Sequence, residues 1–408
     1  MTTIVLAGLA DMAALRSNLG FNLLNQLLLI AFPLFLNIYL VRVLHLEDLG
    51  KWYLVNSAAA LVQLLITAPH FWLVRLLSGG EGDPQRTVAA GMATYLGLLL
   101  AVAPLYWAYV LWVAPETRFV AVLVFAHLLM STLACEYYFH AYLQQRFLMI
   151  RRLVVRSVLL VLLLVFVRDQ TDFHLFVGLT TATYIVEHLI NLGAVLHRLG
   201  LACPDRSTFW AVAGAVRQML PFNATHNTLP HIVLLAAPRV FDLETVAILS
   251  ILVRLVNMAT TLVTSSINVI FPFLNARAGA ADLKKRLGIM TGLVATGVGL
   301  IGFLFHQPVA WIFLDRALTP EQVQGFGCLC AYISIHSVYN YIAFNTFVAQ
   351  AKAHVVTLCN LLILGCFGAS AMVLSASFAP YAAAMTSCAC LGLMCLWALH
   401  LQLRENHP

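Results

Sequence analysis

The sequence predicts an all-α integral membrane protein, with twelve transmembrane helices arranged as two six-helix lobes related by a pseudo-two-fold axis. Three observations carry that prediction. The 408 residues are 62% hydrophobic and only 10% charged, against about 25% charged in soluble chains. Apolar runs of about 20 residues, long enough to cross the hydrocarbon core as helices, recur from end to end. The residue order around the first two runs returns 197 positions later. Lipid offers backbone groups no hydrogen-bonding partner, so a helix bundle follows, and the alternating strands of a barrel are absent.

Taken in order, the predicted spans are Leu19–Val41, Tyr53–Val74, Thr87–Trp112, Phe119–Tyr142, Leu153–Val167, Phe173–His197, Met219–Pro238, Val246–Phe271, Leu287–Phe305, Gln324–Ala349, Val355–Leu374 and Tyr381–His400. No small-residue cleavage pattern follows the first, so it reads as a retained span and not a removed signal peptide. The fifth is the shortest. Charge placement supports the segmentation: of 23 Lys and Arg, sixteen are assigned to one side, with Arg156 in the first turn of the fifth span among them, six to the other, and Arg254 lies deeper inside a span. The richer side is expected to be cytoplasmic, which puts both termini there. The net charge of +6 therefore reports orientation and gives no sign of nucleic-acid binding. Cys328-x-Cys330 and Cys388-x-Cys390 lie in apolar runs without His or acidic neighbours and read as buried thiols. No metal or cofactor is expected.

The repeat matches Gln26 with Asn223, Pro33 with Pro230, Arg42-Val43 with Arg239-Val240, and Leu46-Glu47 with Leu243-Glu244. Six spans separate the copies, so they cross in the same direction, and substrate sites usually lie where such lobes meet. The predicted domains are residues 1–198 as the first lobe, 199–218 as a cytoplasmic linker with a surface helix, and 219–408 as the second lobe.

Polar residues recur at helical spacing in four spans. Asn223, His226, Asn227 and His231 stand at i, i+3, i+4 and i+8, one face of a helix, with Pro230 beside them. Arg254, Asn257, Thr261, Thr264, Ser265 and Asn268 follow the same period. So do Asn56, Gln63, Thr67 and His70, and Asn18, Asn22, Asn25 and Gln26. Polar groups facing lipid cost several kcal/mol each. Single residues of this kind are commonly helix–helix contacts worth about 0.6 kcal/mol. Four stripes on repeat-related helices instead predict a hydrated, substrate-lining cavity. Arg254 is read as a cationic anchor for an anionic group, or as a structural partner of Glu187 or of helix carbonyls. Glu187 and His188, mid-span with Asn191 one turn on, are the ion-coupling candidates, or form a fixed ion pair inside one lobe.

The segment "NLLNQLLLIAFPLFLNIYLVRVLHLEDLGKWYLVNSAAALVQLL" resembles the opening of the polysaccharide-exporter branch of the MOP superfamily. The resemblance rests on Pro33, Arg42-Val43-Leu44, Glu47-Asp48, Gly50 and Tyr53, with "LPF" at Leu220 and "FPFL" at Phe271. Ala247 stands where the repeat would place a second Gly. The resemblance implies a MATE-like fold and a Wzx-type O-antigen or polysaccharide flippase. Its cargo would be undecaprenyl-pyrophosphate-linked oligosaccharide, its site the bacterial inner membrane, and its partners membrane lipids, a polysaccharide polymerase and a chain-length regulator. A MATE-like drug or small-cation antiporter is the alternative, and should favour acidic lining. An enzyme would need catalytic side chains on sizeable outer loops, and these loops are short.

Overall fold

The computed structural model describes residues 21–405 except 22–23, 26, 29, 81–82, 201, 205, 277–280, 349–351 and 374–376. Residues 218, 265–276, 281–282, 284, 348, 372–373 and 402–405 are described by backbone alone. Every regular element among the described residues is helical. Seven helices are long and apolar enough to cross a membrane: α2 Leu46–Ile66, α4 Pro84–Trp112, α8 Phe173–Leu199, α11 Leu243–Ala276, α12 Ala281–Leu304, α15 Ala353–Val373 and α16 Phe378–Glu405. The chain is a multi-pass membrane protein.

The remaining helices are shorter or carry more polar residues. They are α1 Ile30–Val43, α3 His70–Ser78, α5 Arg118–Ser131, α6 Glu136–Ala141, α7 Gln145–Phe166, α9 Arg206–Thr225, α10 Leu229–Ala236, α13 His306–Leu314 and α14 Pro320–Ile342. Three predicted spans are interrupted, each for a local reason. The second breaks between α2 and α3, where Pro69 precedes the new helix and has no N–H to give. The fourth breaks between α5 and α6, with Cys135 left-handed at φ 51°. The seventh breaks between α9 and α10, with Asn227 at φ 57°. Asn tolerates that conformation better than most residues, and Pro230 suits the first turn of the helix that follows.

The chain divides into two compact units, Met1–Leu36 with Val62–Leu220 and Asn37–Leu61 with Pro221–Pro408. In the first, α5 and α7 pack on α8, and α3 packs on α6. Tyr137 and Phe139 are fully buried among Leu73, Tyr95, Leu148 and Val212. The Tyr137 hydroxyl donates to the Val88 carbonyl at 3.0 Å. Gly91 permits this, since a Cβ there would lie 2.7 Å from the phenolic oxygen. In the second unit α14 packs against α11, α12 and α16, and Tyr381 donates to the Val233 carbonyl at 2.6 Å. Helices α2 and α11 begin at Leu46 and Leu243, the two positions the repeat matches, and these ends touch: Gly50 packs on the Leu243 backbone. Trp112, Phe71 and Leu105 stay 85, 71 and 70% exposed.

Glu321, in the first turn of α14, braces the start of α16. Its Oε1 accepts from the Ser377 hydroxyl at 2.6 Å, from the Phe378 N–H and from the Ala379 N–H at 3.4 Å. These hydrogen bonds, the Ser377 hydroxyl foremost, hold its carboxyl below the ordinary glutamate range. A depressed carboxyl contributes stability above its unfolded pKa, about 4.3, and loses it as pH falls through the lower folded value. The melting temperature of the wild-type protein should therefore drop more steeply than that of Glu321→Gln across that acidic window. Parallel melting curves would show that the brace carries no stability.

Candidate functional site

The first unit holds a buried ionic centre on three helices. Arg151, Arg152 and Arg156 come from α7, Glu187 from α8 and Glu136 from the first position of α6. Arg151 Nη2 lies 2.8 Å from Glu187 Oε1 and 3.2 Å from Glu136 Oε1. Arg152 Nε reaches Glu187 Oε1 at 3.3 Å, and its Nη2 reaches Glu136 Oε1 at 3.6 Å. Arg156 Nη2 lies 3.2 Å from Glu187 Oε2. Arg152 Nη1 donates to Asn25 Oδ1 at 2.6 Å. Arg151 and Glu187 expose only 2 and 5% of their side chains.

Charge and hydrogen-bond capacity are both left over here. Three guanidiniums, which do not deprotonate, face two carboxylates, so the described ionic groups sum to one positive charge. Arg151 Nε and Nη1, both ring nitrogens of His188 and both amide atoms of Asn191 find no hydrogen-bond partner among the described residues. Asn191 is fully buried. The ring of His188 lies parallel to His127, centroids 5.2 Å apart and 2° between planes. His127 stacks in turn on Tyr184 at 4.6 Å, and the Arg156 guanidinium sits 4.3 Å over the Tyr184 ring. Buried polar groups in proteins are nearly always partnered, so this centre has the features of a site that takes an anionic, hydrogen-bonding group.

Asn25, Glu187 and His188 are thus brought together, and Glu187 finds arginine partners on α7. Gln63 accepts from Ser131 at 3.0 Å. Gln26 lies outside the described residues. Hydropathy puts Arg151 and Arg152 just before a short fifth span and Arg156 inside it, so in the sequence they count only as charges of the richer side. A signal was present: Leu148, Arg152, Val155, Leu159 and Leu163 share one helical face, and all are buried.

The second unit holds the other expected residues. The Arg254 guanidinium sits 4.2 Å over the Tyr53 ring, whose hydroxyl donates to Asn37 Oδ1 at 2.9 Å. His231 lies within electrostatic reach of Arg254. Asn56 donates to the Trp52 carbonyl and Thr261 to the Asn257 carbonyl, at 2.7 and 2.8 Å. Both bonds stay within their own helix. Asn223, His226, Asn227 and His231 do not share one continuous helix, because α9 ends at Thr225. Asn223 is half-buried in the last turn of α9, His226 stacks on Phe222 at 4.9 Å, and Asn227 meets His336 Nε2 at 3.0 Å. At this break lies a cavity of about 20 Å³ lined by Thr225, Asn227, Tyr332, His336, Tyr339 and Asn360, room for about one water. Asn268 lies outside the described side chains. A cation over an aromatic face contributes about 0.5–2 kcal/mol, so Tyr53→Leu should lower the melting temperature more than Tyr53→Phe, which keeps the ring. Equal shifts would assign the loss to the Asn37 hydrogen bond.

No sequence-family model matches the chain, and no curated protein matches it in sequence. Solved structures do match. The eukaryotic MATE transporter AtDTX14 superposes with a TM-score of 0.65 at 13% identity, covering 96% of both chains. The chain has the fold of the MATE transporters. An inward-facing multidrug resistance MATE family transporter of the MOP superfamily gives a TM-score of 0.58 at 10% identity, over 89% of this chain and 95% of that one. A variant of the Vibrio cholerae MATE transporter VcmN gives 0.54 at 12% identity, over 97% of each. At these identities the likeness is one of fold. On that MATE fold, the chemistry of the ionic centre has to be read from this chain's own residues.

Proposed function

We propose that the chain is a MOP-superfamily transporter that flips undecaprenyl-pyrophosphate-linked oligosaccharide across the bacterial inner membrane for surface polysaccharide assembly. Twelve spans in two lobes, cytoplasmic termini and alternating access belong to this proposal, as does lining of the sugar path by Asn25, Asn56, Gln63, Asn223, His226, Asn227, His231, Asn257 and Thr261, with Arg254 as a second cation. The excess of arginine over carboxylate in the buried centre is the observation that carries it. An anionic diphosphate would complete that centre, and arginine's planar fork suits phosphate oxygens. The fold agrees equally well with a drug or small-cation antiporter. Such a protein needs a carboxylate free to take a cation, and both carboxylates of this centre, Glu136 and Glu187, are already shared among arginines.

Proteoliposomes test the choice. With a fluorescent undecaprenyl-diphosphate oligosaccharide, the protein should move the glycan to the opposite leaflet, seen as a gain in quenching by a membrane-impermeant reductant. Arg156→Ala and Arg254→Ala should each slow that movement by about tenfold, the worth of one charge-assisted hydrogen bond. Extrusion of a cationic dye with no glycan movement would establish the antiporter instead.

A further inference from the structure

We infer that the ionic centre of the first unit takes up a proton together with its anion, and that the stacked pair His127–His188 holds that proton. The inference rests on the anionic-cargo reading and goes beyond it by assigning the coupled ion and the residues that carry it.

His188 is the starting point. A neutral imidazole has one donor and one acceptor, and in this ring neither nitrogen meets a described partner. A histidine kept for packing would satisfy at least one. Its parallel stacking on His127 at 5.2 Å gives the ring a neighbour that can share charge but forms no hydrogen bond. The titratable and charged groups around the pair come from three helices. They are Arg151 and Arg156 of α7, Glu136 of α6, Glu187 beside it on α8, and Tyr184 stacked on His127. Glu187 is unsuited to carry the proton, because three arginines within 3.3 Å hold it as the carboxylate. Among the described residues no arginine pairs with either imidazole, and the nearby His140 already has a partner in the Gln145 amide at 2.9 Å.

With the pair neutral the ionic groups carry one positive charge, and with one imidazole protonated they carry two. An anion seated on the arginines and a proton on the pair then favour each other by the same factor, since linkage is reciprocal. A protonated His188 also has two donors to offer phosphate oxygens, with the amide of Asn191 one helical turn away. Proton and cargo bind as a pair in this scheme. Competition between them would give the opposite sign.

The test is calorimetric titration of inorganic pyrophosphate into the full-length protein in lipid nanodiscs. It is run at about pH 6 and about pH 8, either side of the histidine range, in buffers of differing ionisation enthalpy. Wild-type protein should take up protons on binding and should gain about tenfold more affinity on acidification than His188→Gln, within the usual range of coupled sites. Titration of pyrophosphate itself is common to both proteins and cancels in the comparison. His127→Gln should likewise lose uptake and the acid gain, which provides a second route should His188→Gln fold poorly. His174→Gln, at the exposed start of α8, should behave as wild type. Binding without proton uptake, proton release on binding, or uptake that survives both substitutions would overturn the inference while leaving the anionic cargo standing. No pyrophosphate binding at either pH would overturn the anionic-cargo reading, and this one with it.

Discussion

Glu187→Gln should destabilise the protein by about 3–5 kcal/mol, the loss typical when one partner of a buried ion pair is removed. Glu187 is 4% exposed and receives three guanidiniums. Without its charge only Glu136 remains to offset Arg151, Arg152 and Arg156, and three positive charges are left close together in low dielectric. The neutral amide keeps the shape of the carboxylate, so any loss reports charge and not packing. Removing a guanidinium at the same time should recover part of it, making Glu187→Gln with Arg151→Leu more stable than Glu187→Gln alone. Melting followed by size-exclusion fluorescence in detergent measures all three proteins. If Glu187→Gln melts with the wild type, the centre is not held by charge pairing and the case for an anion site loses its footing. The Glu187 carboxylate serves this chain as the keystone of an arginine cluster, which is why the proton is assigned to His188.

Gly50→Val should be nearly as damaging, for a steric reason. A Cβ at position 50 would stand 2.2 Å from the Leu243 carbonyl oxygen and 3.0 Å from its carbon. Both lie in helix backbone at the starts of α2 and α11, so no side chain can swing aside. Overpacking costs about 1–3 kcal/mol where side chains can adjust, and this contact belongs at or above the upper end. Relief would require α2 to move off α11. Gly97→Ala is the control. Nothing lies within 4 Å of a Cβ there, and inside α4 the change should be neutral or stabilising by up to about 1 kcal/mol. Equal melting of Gly50→Val and wild type would mean that α2 and α11 do not need this approach.

The stripes show where reading a periodic pattern succeeds and where it stops. Asn25 was legible as an inward-facing residue, since lipid cannot solvate an amide, but its partner Arg152 was not, because it sits 127 residues away. His226 and Asn227 were legible as a polar break near a proline. That α9 stops at Thr225 and that Asn227 turns left-handed depend on backbone geometry that spacing does not encode. The arginines of α7 count in the sequence as charges of one membrane side, and their pairing inside the unit is not written there. Hydropathy alone cannot tell a charge in headgroups from one paired inside.

By itself the sequence determined that this chain lives in a membrane and is built of helices. Those properties follow from the solvent acting on each segment separately, and composition and period record that. Only the tertiary structure decided which charges meet: Glu187 with three arginines 31 to 36 residues away, Arg254 with Tyr53, and His188 with His127. Helical period fixes the face a side chain occupies. The partner across from it depends on how helices pack, and that is set by the whole bundle at once.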